Sequence, residues 1–506
     1  MAQAPSAHTA TAATAATTSG ATAVDELTLQ LLREDLEQHR TTCAEVIRAV
    51  LSRIEALDQA GPQLNAVITV NPEALSLAEE LDEEFATTGR LRAAHGVPVI
   101  IKDTIDTASL PTTGGSQLFA DFYPENDATV VKKLRDAGAI IVAKANLDDF
   151  AAAVYGISSL TGAMPNPYGT DYSVGGSSGG CASAVASGYV PLAIGSDAGG
   201  SLRIPAAFTS IVTLRPTIGL VSRDGAMPRG LTQDTLGPMA RTVADAAAGL
   251  DLMAGFDPAD SVTARGFDRT PQDGYVSFAK PRRLTHLRIG VIRTGLALFG
   301  RNDPSIVQLL DDAMADLVEL KATIVELPGP DRGLLGAGST ITKESARDVD
   351  AYLASQHGTA PVSTFRELYD SGAYSSYAKE AFDREIQVDP ASLGTDLQYQ
   401  QILSARTALQ DWVYGQMAIH ELDAISYASA MKFPAKIGVE QGGVFTRLSE
   451  NTGFPAISVP MGYGGDAGLP TGLEFLGRPF TEPLLISLAA SYEKATRHRV
   501  APELTS

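Results

Sequence analysis

Cysteine is scarce in this chain: Cys43 and Cys181 are the only two in 506 residues. That excludes a disulfide framework and a thiolate metal site, and a reducing compartment follows as the expected setting. Histidine is nearly as sparse, with seven at 8, 39, 95, 286, 357, 420 and 498 and no His-x-x-x-His or Glu-x-x-His spacing among them. Zinc catalysis would lack its usual ligands, so neither a metal nor another cofactor is expected. Basic charge is also short: 39 Lys and Arg stand against 59 Asp and Glu, for a net charge of −20, with no basic run or stripe. A phosphate backbone is a poor partner for such a surface, and nucleic acid is not expected to bind. Missing as well is any apolar run of roughly 18 to 20 residues that would cross a bilayer. Residues 1–24 lack the basic start and leucine-rich centre of a secretory signal and read as a disordered Ala/Thr-rich tail. The expectation is a soluble cytoplasmic protein with no membrane partner.

What is present is core-forming material, 44% hydrophobic residues against 19% charged. Such a chain can bury a large interior. Residues 25–506 read as one domain of alternating helix-like and strand-like pieces. ELTLQLLREDLEQ has helical spacing, and Thr42 with Glu45 makes a capping-box pattern for a second helix running to about Leu57. Strand-like runs follow at 64–70, 97–103, 139–144, 190–195, 287–293 and 323–327. Helices are expected between them at 71–85, 127–137 and 304–320. This order implies an α/β architecture, a large mixed and mostly parallel sheet between layers of helices. The polar stretch 256–286 reads as a surface connection. Residues 330–430 look helical and hold seven of the fifteen tyrosines and Trp412. They are expected to form an insertion able to cover an active site and line an apolar pocket.

The densest signal is glycine. Between Gly175 and Gly200 the chain carries eight of them, where average composition predicts about two or three. The segments are YSVGGSSGG from Tyr172 and IGSDAGGSLRIPAAF from Ile194. Apolar pieces such as ASAVASG and VPLAIG interrupt them, so this is not a flexible linker. Glycine clusters of this kind mark backbone that turns sharply or approaches something closely.

Three features stand in order: Lys102 next to the end of HGVPVIIKD, Ser177 within GGSSGG, and Ser201 within GSDAGGSLRIPAAF. This set resembles the amidase signature family of hydrolases. The likeness continues through LRPTIGLVS (214–222), QDTLGPMAR (233–241) and GFPAISVP (453–460), and is most similar to the peptide amidase branch. The resemblance implies a Ser-cisSer-Lys triad with Ser201 as nucleophile, Ser177 as the bridging serine after a cis Gly176–Ser177 bond, and Lys102 as base. It places an oxyanion hole at the N–H groups of Ala198, Gly199, Gly200 and Ser201. Asp197, Arg203 and Ser178 are expected as supports behind the reacting groups. Ala198, Ser210, Cys181 and the stretch Tyr155 to Ser159 depart from what relatives commonly carry, which leaves the triad intact and the substrate open.

The residue types suit the chemistry. A serine hydroxyl needs a base to take its proton, and with no histidine in these motifs lysine is the candidate. Lys102 must then be neutral near pH 7, at a cost of about 4 kcal/mol that the Val-Ile-Ile wall is in keeping with. Successive N–H groups of a glycine loop can converge on one hollow, as an oxyanion requires.

The expected activity is hydrolysis of a small-molecule peptide, aryl or alkyl amide through an acyl-enzyme, with ester or carbamate cleavage alongside, by a monomer or homodimer. Two alternatives stay open. Gly175 to Gly179 also fits Gly-x-Ser-x-Gly, the nucleophile elbow of an α/β-hydrolase-type esterase using Ser177, which demands a later histidine. Within the family, the chain is alternatively an A-type subunit of glutamyl-tRNA amidotransferase.

Overall fold

The Thr42 hydroxyl accepts the N–H of Glu45, and the Glu45 carboxylate accepts the N–H of Thr42. This reciprocal cap opens the Cys43–Ile54 helix where the sequence places it. The computed structural model describes residues 21–293, 296, 302–444 and 446–504. Of the tail expected at 1–24, residues 1–20 lie outside the described residues, while the N–H of Thr22 donates to Asp35.

Eleven strands form one sheet among the described residues. In chain order they are β1 (Val67–Val70), β2 (Pro98–Lys102), β3 (Ile140–Ala145), β4 (Leu192–Asp197), β5 (Val212–Arg215), β6 (Thr235–Ala240), β7 (Arg288–Val291), β8 (Thr323–Glu326), β9 (Ala424–Ala428), β10 (Ala456–Gly464) and β11 (Leu469–Leu476). Their order across the sheet is β1-β3-β2-β4-β6-β5-β10-β11-β9-β7-β8. The sheet is mixed, as expected, but the expected parallel majority gives way. Parallel pairs join β3-β2-β4 on one flank and β9-β7-β8 on the other. Every pairing from β4 through β6, β5, β10 and β11 to β9 is antiparallel. A strand covered on both faces by helices is apolar whichever way its neighbours run, so an apolar run does not carry their direction.

Helices cover the sheet and bury one continuous apolar core, from Leu27 to Tyr492 in sequence. All five residues of β2 are buried, the expected state of an inner strand between two parallel neighbours. None of the helices among the described residues is long and apolar enough to cross a membrane.

Residues 330–423 are largely helical, with helices at Arg332–Ala337, Ile341–Ser355, Phe365–Ser371, Ser376–Glu385 and Leu397–Ile419 before β9. The middle three pack a second apolar cluster in which Phe365 and Phe382 meet Phe119, Phe122 and Phe150 from the first half of the chain. Edge-to-face contacts at 5.3 to 5.5 Å join neighbouring rings, the arrangement that the ring quadrupole favours.

Candidate active site

β2 and β4 run parallel, with Ile101 opposite Ile194. Their C-terminal ends, Lys102 and Asp197, therefore reach the same edge of the sheet, where open α/β sheets place ligands. From β4 the chain turns through 198–202 into the Arg203–Phe208 helix. Ser177 comes to this edge from the other glycine segment, just ahead of the Gly179–Ala186 helix.

Lys102 Nζ donates to Ser177 Oγ at 2.7 Å and to Ser196 Oγ at 2.9 Å. The Gly176–Ser177 peptide is cis. The next residue, Ser178, donates its N–H to the carbonyl of Ser201 at 3.1 Å, which ties the two serine segments together beside Lys102. Lys102 and Ser177 are 0% exposed and Ser201 is 6% exposed. Of the three, Ser201 alone can meet a molecule entering from outside.

The glycines have steric reasons. A Cβ at Gly176 would lie 1.9 Å from Asp148 Oδ2, and one at Gly180 would lie 2.3 Å from the carbonyl oxygen of Ala66. Neither position admits a side chain without displacing its neighbour.

Burial pushes Lys102 down to about 8, against the opposing pull of Cys181, Asp148, Asp197 and Asp234. Local desolvation outweighs the acidic balance of the chain, and a neutral amine becomes accessible near neutral pH. Asp148 is also displaced, because burial raises it to about 7 although it accepts the N–H groups of Tyr155, Gly156 and Ile157.

Asp197 behaves differently. Burial would raise its carboxyl, but Arg203 and Arg215 hold it well below the usual carboxylate range. It accepts from Arg203 Nε at 3.1 Å and Arg215 Nε at 3.3 Å, and also takes the N–H of Leu202 at 3.2 Å and of Gly200 at 2.8 Å. The Gly200 contact corrects the four-donor expectation for the oxyanion hole. That N–H is already given to Asp197 Oδ1, which leaves Ala198, Gly199 and Ser201. Arg203 also reaches Glu450 at 2.7 Å and Glu474 at 2.9 Å, so it is a buried hub joining distant parts of the chain. Ser178 Oγ donates to the Ser196 carbonyl at 3.1 Å and accepts the Ser196 N–H at 3.3 Å, so it grips β4.

Three residues at the site escaped the sequence reading. Ser196 lies inside a recognised motif, and only the parallel register of β2 and β4 brings it to Lys102. Asp148 lies in no recognised motif, although the N–H groups it accepts come from residues only seven to nine positions on. Gln233 opens the recognised 233–241 stretch, but its partner Ala198 lies 35 residues away and nothing in the sequence pairs them. Cys181 is buried and its thiol is pushed up to about 12, so it is unreactive. The elbow reading of Ser177 lacks its histidine: among the described residues, no histidine hydrogen-bonds Ser177, whose hydroxyl is held by Lys102.

Ser201 opens on a cavity lined by Ser196, Ala198, Met227, Arg229 and Asp234. A second, aromatic cavity, lined by Phe119, Phe150, Phe365 and Phe382, shares Met227, Pro228 and Arg229 with the first. Burial raises Asp234 to about 6 while it accepts the N–H groups of Arg229 and Gly230.

Comparison with known proteins gives a consistent result. The family model described as Amidase matches residues 45–486. The A-type subunit of glutamyl-tRNA(Gln) amidotransferase from Symbiobacterium thermophilum is 34% identical over 490 residues, 92% of this chain and 96% of the relative. The native peptide amidase of Stenotrophomonas maltophilia superposes with a TM-score of 0.86 at 33% identity, covering 95% of this chain and 99% of that one. An amidase family protein from Bacillus anthracis gives a TM-score of 0.83 at 29% identity, covering 95% and 93%.

Proposed function

The chain belongs to the amidase family and is an amidohydrolase acting on C–N amide bonds, and from that premise we propose a hydrolase in which Lys102, Ser177 and Ser201 form one proton relay. The observation that carries the reading is the 2.7 Å contact between Lys102 Nζ and Ser177 Oγ. With both side chains sealed from solvent, that contact is a route for a proton and has no value as a surface interaction.

Neutral Lys102 takes the proton of Ser177 as Ser177 takes that of Ser201. The Ser201 oxygen then adds to the substrate carbonyl. The negative charge on the carbonyl oxygen is met by the N–H groups of Ala198, Gly199 and Ser201, held in place before the reaction begins. As the C–N bond breaks, the proton returns through Ser177 to the leaving nitrogen. Ammonia or an amine departs, and the acyl group stays on Ser201. Water, deprotonated by the same relay, releases the acid.

The substrate we favour is a small amide bearing an apolar group, a C-terminal peptide amide or an aryl or alkyl amide. Two features support this: the likeness to a peptide amidase, and the aromatic cavity adjoining the Ser201 cavity. The test is a panel of peptide, aryl and alkyl amides, carbamates and esters assayed with the wild type and Ser201→Ala. Loss of all turnover in the variant is expected; retained turnover would overturn the nucleophile.

The likeness to the A-type chain of an amidotransferase favours a second reading, in which the same relay releases ammonia inside a multi-chain complex. The mass of the purified protein in solution separates the two. Full activity as a free monomer or homodimer supports the hydrolase, and activity only with co-purified partner chains supports the alternative.

A further inference from the structure

The loop that presents the oxyanion donors contains Gly199 and Gly200, and glycine backbone turns over easily. Something outside the loop must therefore fix which way its peptides face. The Ala198 carbonyl is held by Gln233, whose Nε2 donates to it at 2.9 Å. The Ala198–Gly199 peptide is trans, so its C=O and N–H point in opposite directions. Pinning the carbonyl on Gln233 thereby aims the Gly199 N–H away from Gln233.

The Gln233 amide is itself held from its far end. Its Oε1 accepts the backbone N–H of Thr340 and also the Thr340 hydroxyl, at 3.2 Å. The Ala198 carbonyl can only accept and the Thr340 N–H can only donate, so the two ends of the amide cannot be exchanged. Thr340 caps the Ile341–Ser355 helix, the longest of the three helices that pack the aromatic cluster. Glu344 on that helix takes the N–H of Thr232 at 3.1 Å, next to Gln233. A Cβ at Gly199 would lie 3.5 Å from Ile341 on the same helix. Gln233, Thr340 and Glu344 are all fully buried.

We propose that Gln233 is the positioning residue of the oxyanion hole, and that through Thr340 it makes the hole depend on the seating of the Ile341–Ser355 helix. This rests on the relay reading given above. Gln233 touches no reacting atom. It acts through the Ala198–Gly199 peptide, so its loss should weaken the transition state and spare the ground state.

The test uses Gln233→Leu, which removes both hydrogen-bonding ends. Gln233→Glu, which keeps the size and the acceptor for Thr340 but sets an oxygen against the Ala198 carbonyl, serves should the first variant fail to fold. Removing one donor from an oxyanion hole costs about 10²- to 10³-fold in kcat, so misplacing one should cost about 10- to 100-fold. KM for a small amide should stay within about threefold. A substrate-derived aldehyde, which forms a tetrahedral adduct with a serine, should lose affinity by the same factor as kcat, whereas the product acid should bind unchanged. A kcat and an aldehyde affinity both within about twofold of wild type would overturn the inference, as would equal losses for aldehyde and acid. Ser201→Ala is assayed in parallel. Turnover retained there overturns the relay reading and this inference together; an inactive Ser201→Ala beside an unimpaired Gln233→Leu overturns this inference alone.

Discussion

Lys102 Nζ touches two hydroxyls, and the one at Ser196 lies only 0.2 Å farther than the one at Ser177, at 2.9 against 2.7 Å. A neutral amine keeps two N–H groups and one lone pair. With an N–H given to Ser196, the lone pair is left free to face Ser177.

Ser196→Ala should therefore lower kcat by about tenfold, the equivalent of one orienting hydrogen bond of about 1.4 kcal/mol. It should also move the acid limb of the pH profile to lower pH, because an acceptor that favours the ammonium form is gone. Ser196→Thr, which keeps the hydroxyl, should restore both. A pH–rate series on the three proteins checks this.

In the wild type, activity should rise with pH through about 8, the value to which burial brings Lys102. The working form is the neutral amine, and its fraction grows as pH climbs past that point. A kcat/KM profile already flat between pH 6 and 9 would contradict Lys102 as the base.

Lys102→Met should be inactive yet more stable than wild type near neutral pH. Native Lys102 falls from 10.5 to about 8, which corresponds to about 3 kcal/mol of native-state destabilisation below pH 8. Two lost hydrogen bonds offset part of it, leaving a gain of about 1 to 3 kcal/mol. The sign follows from the depressed value: the penalty is complete below pH 8 and vanishes as pH passes 10.5. Denaturant unfolding at pH 7 and at pH 10 should show the gain at the first and little at the second.

Arg203→Met should destabilise strongly. It removes the cation shared by Asp197, Glu450 and Glu474, and breaking a buried pair in this way costs about 3 to 5 kcal/mol. Asp197, held well below its ordinary value by Arg203 and Arg215, contributes stability above the carboxylate range that is lost as pH falls. Acid unfolding of the variant should therefore begin at higher pH, as followed by circular dichroism.

Several elements were legible in the residues alone. Pro98–Lys102 shows as a short apolar run ending in lysine, the helix after Thr42 shows by its capping box, and the Pro304–Glu319 helix shows by its spacing. Each depends on contacts within a few residues, which composition and periodicity record. Lys102, Ser177 and Ser201 stood out through the glycine-serine segments and their resemblance to a known family.

Direction and partner were decided elsewhere. The antiparallel middle of the sheet, the Gly200 N–H turned onto Asp197, and the grip of Gln233 on Ala198 all join residues far apart in the chain or set by a loop's exact path. The sequence by itself determined which segments are apolar, where helices begin, and where glycine and serine cluster, because those properties belong to residues and their near neighbours. Which hydroxyls meet the lysine, and which loop amide turns onto Asp197, only the tertiary structure decided. A hydrogen bond is settled by tenths of an ångström between groups that packing of the whole chain brings together.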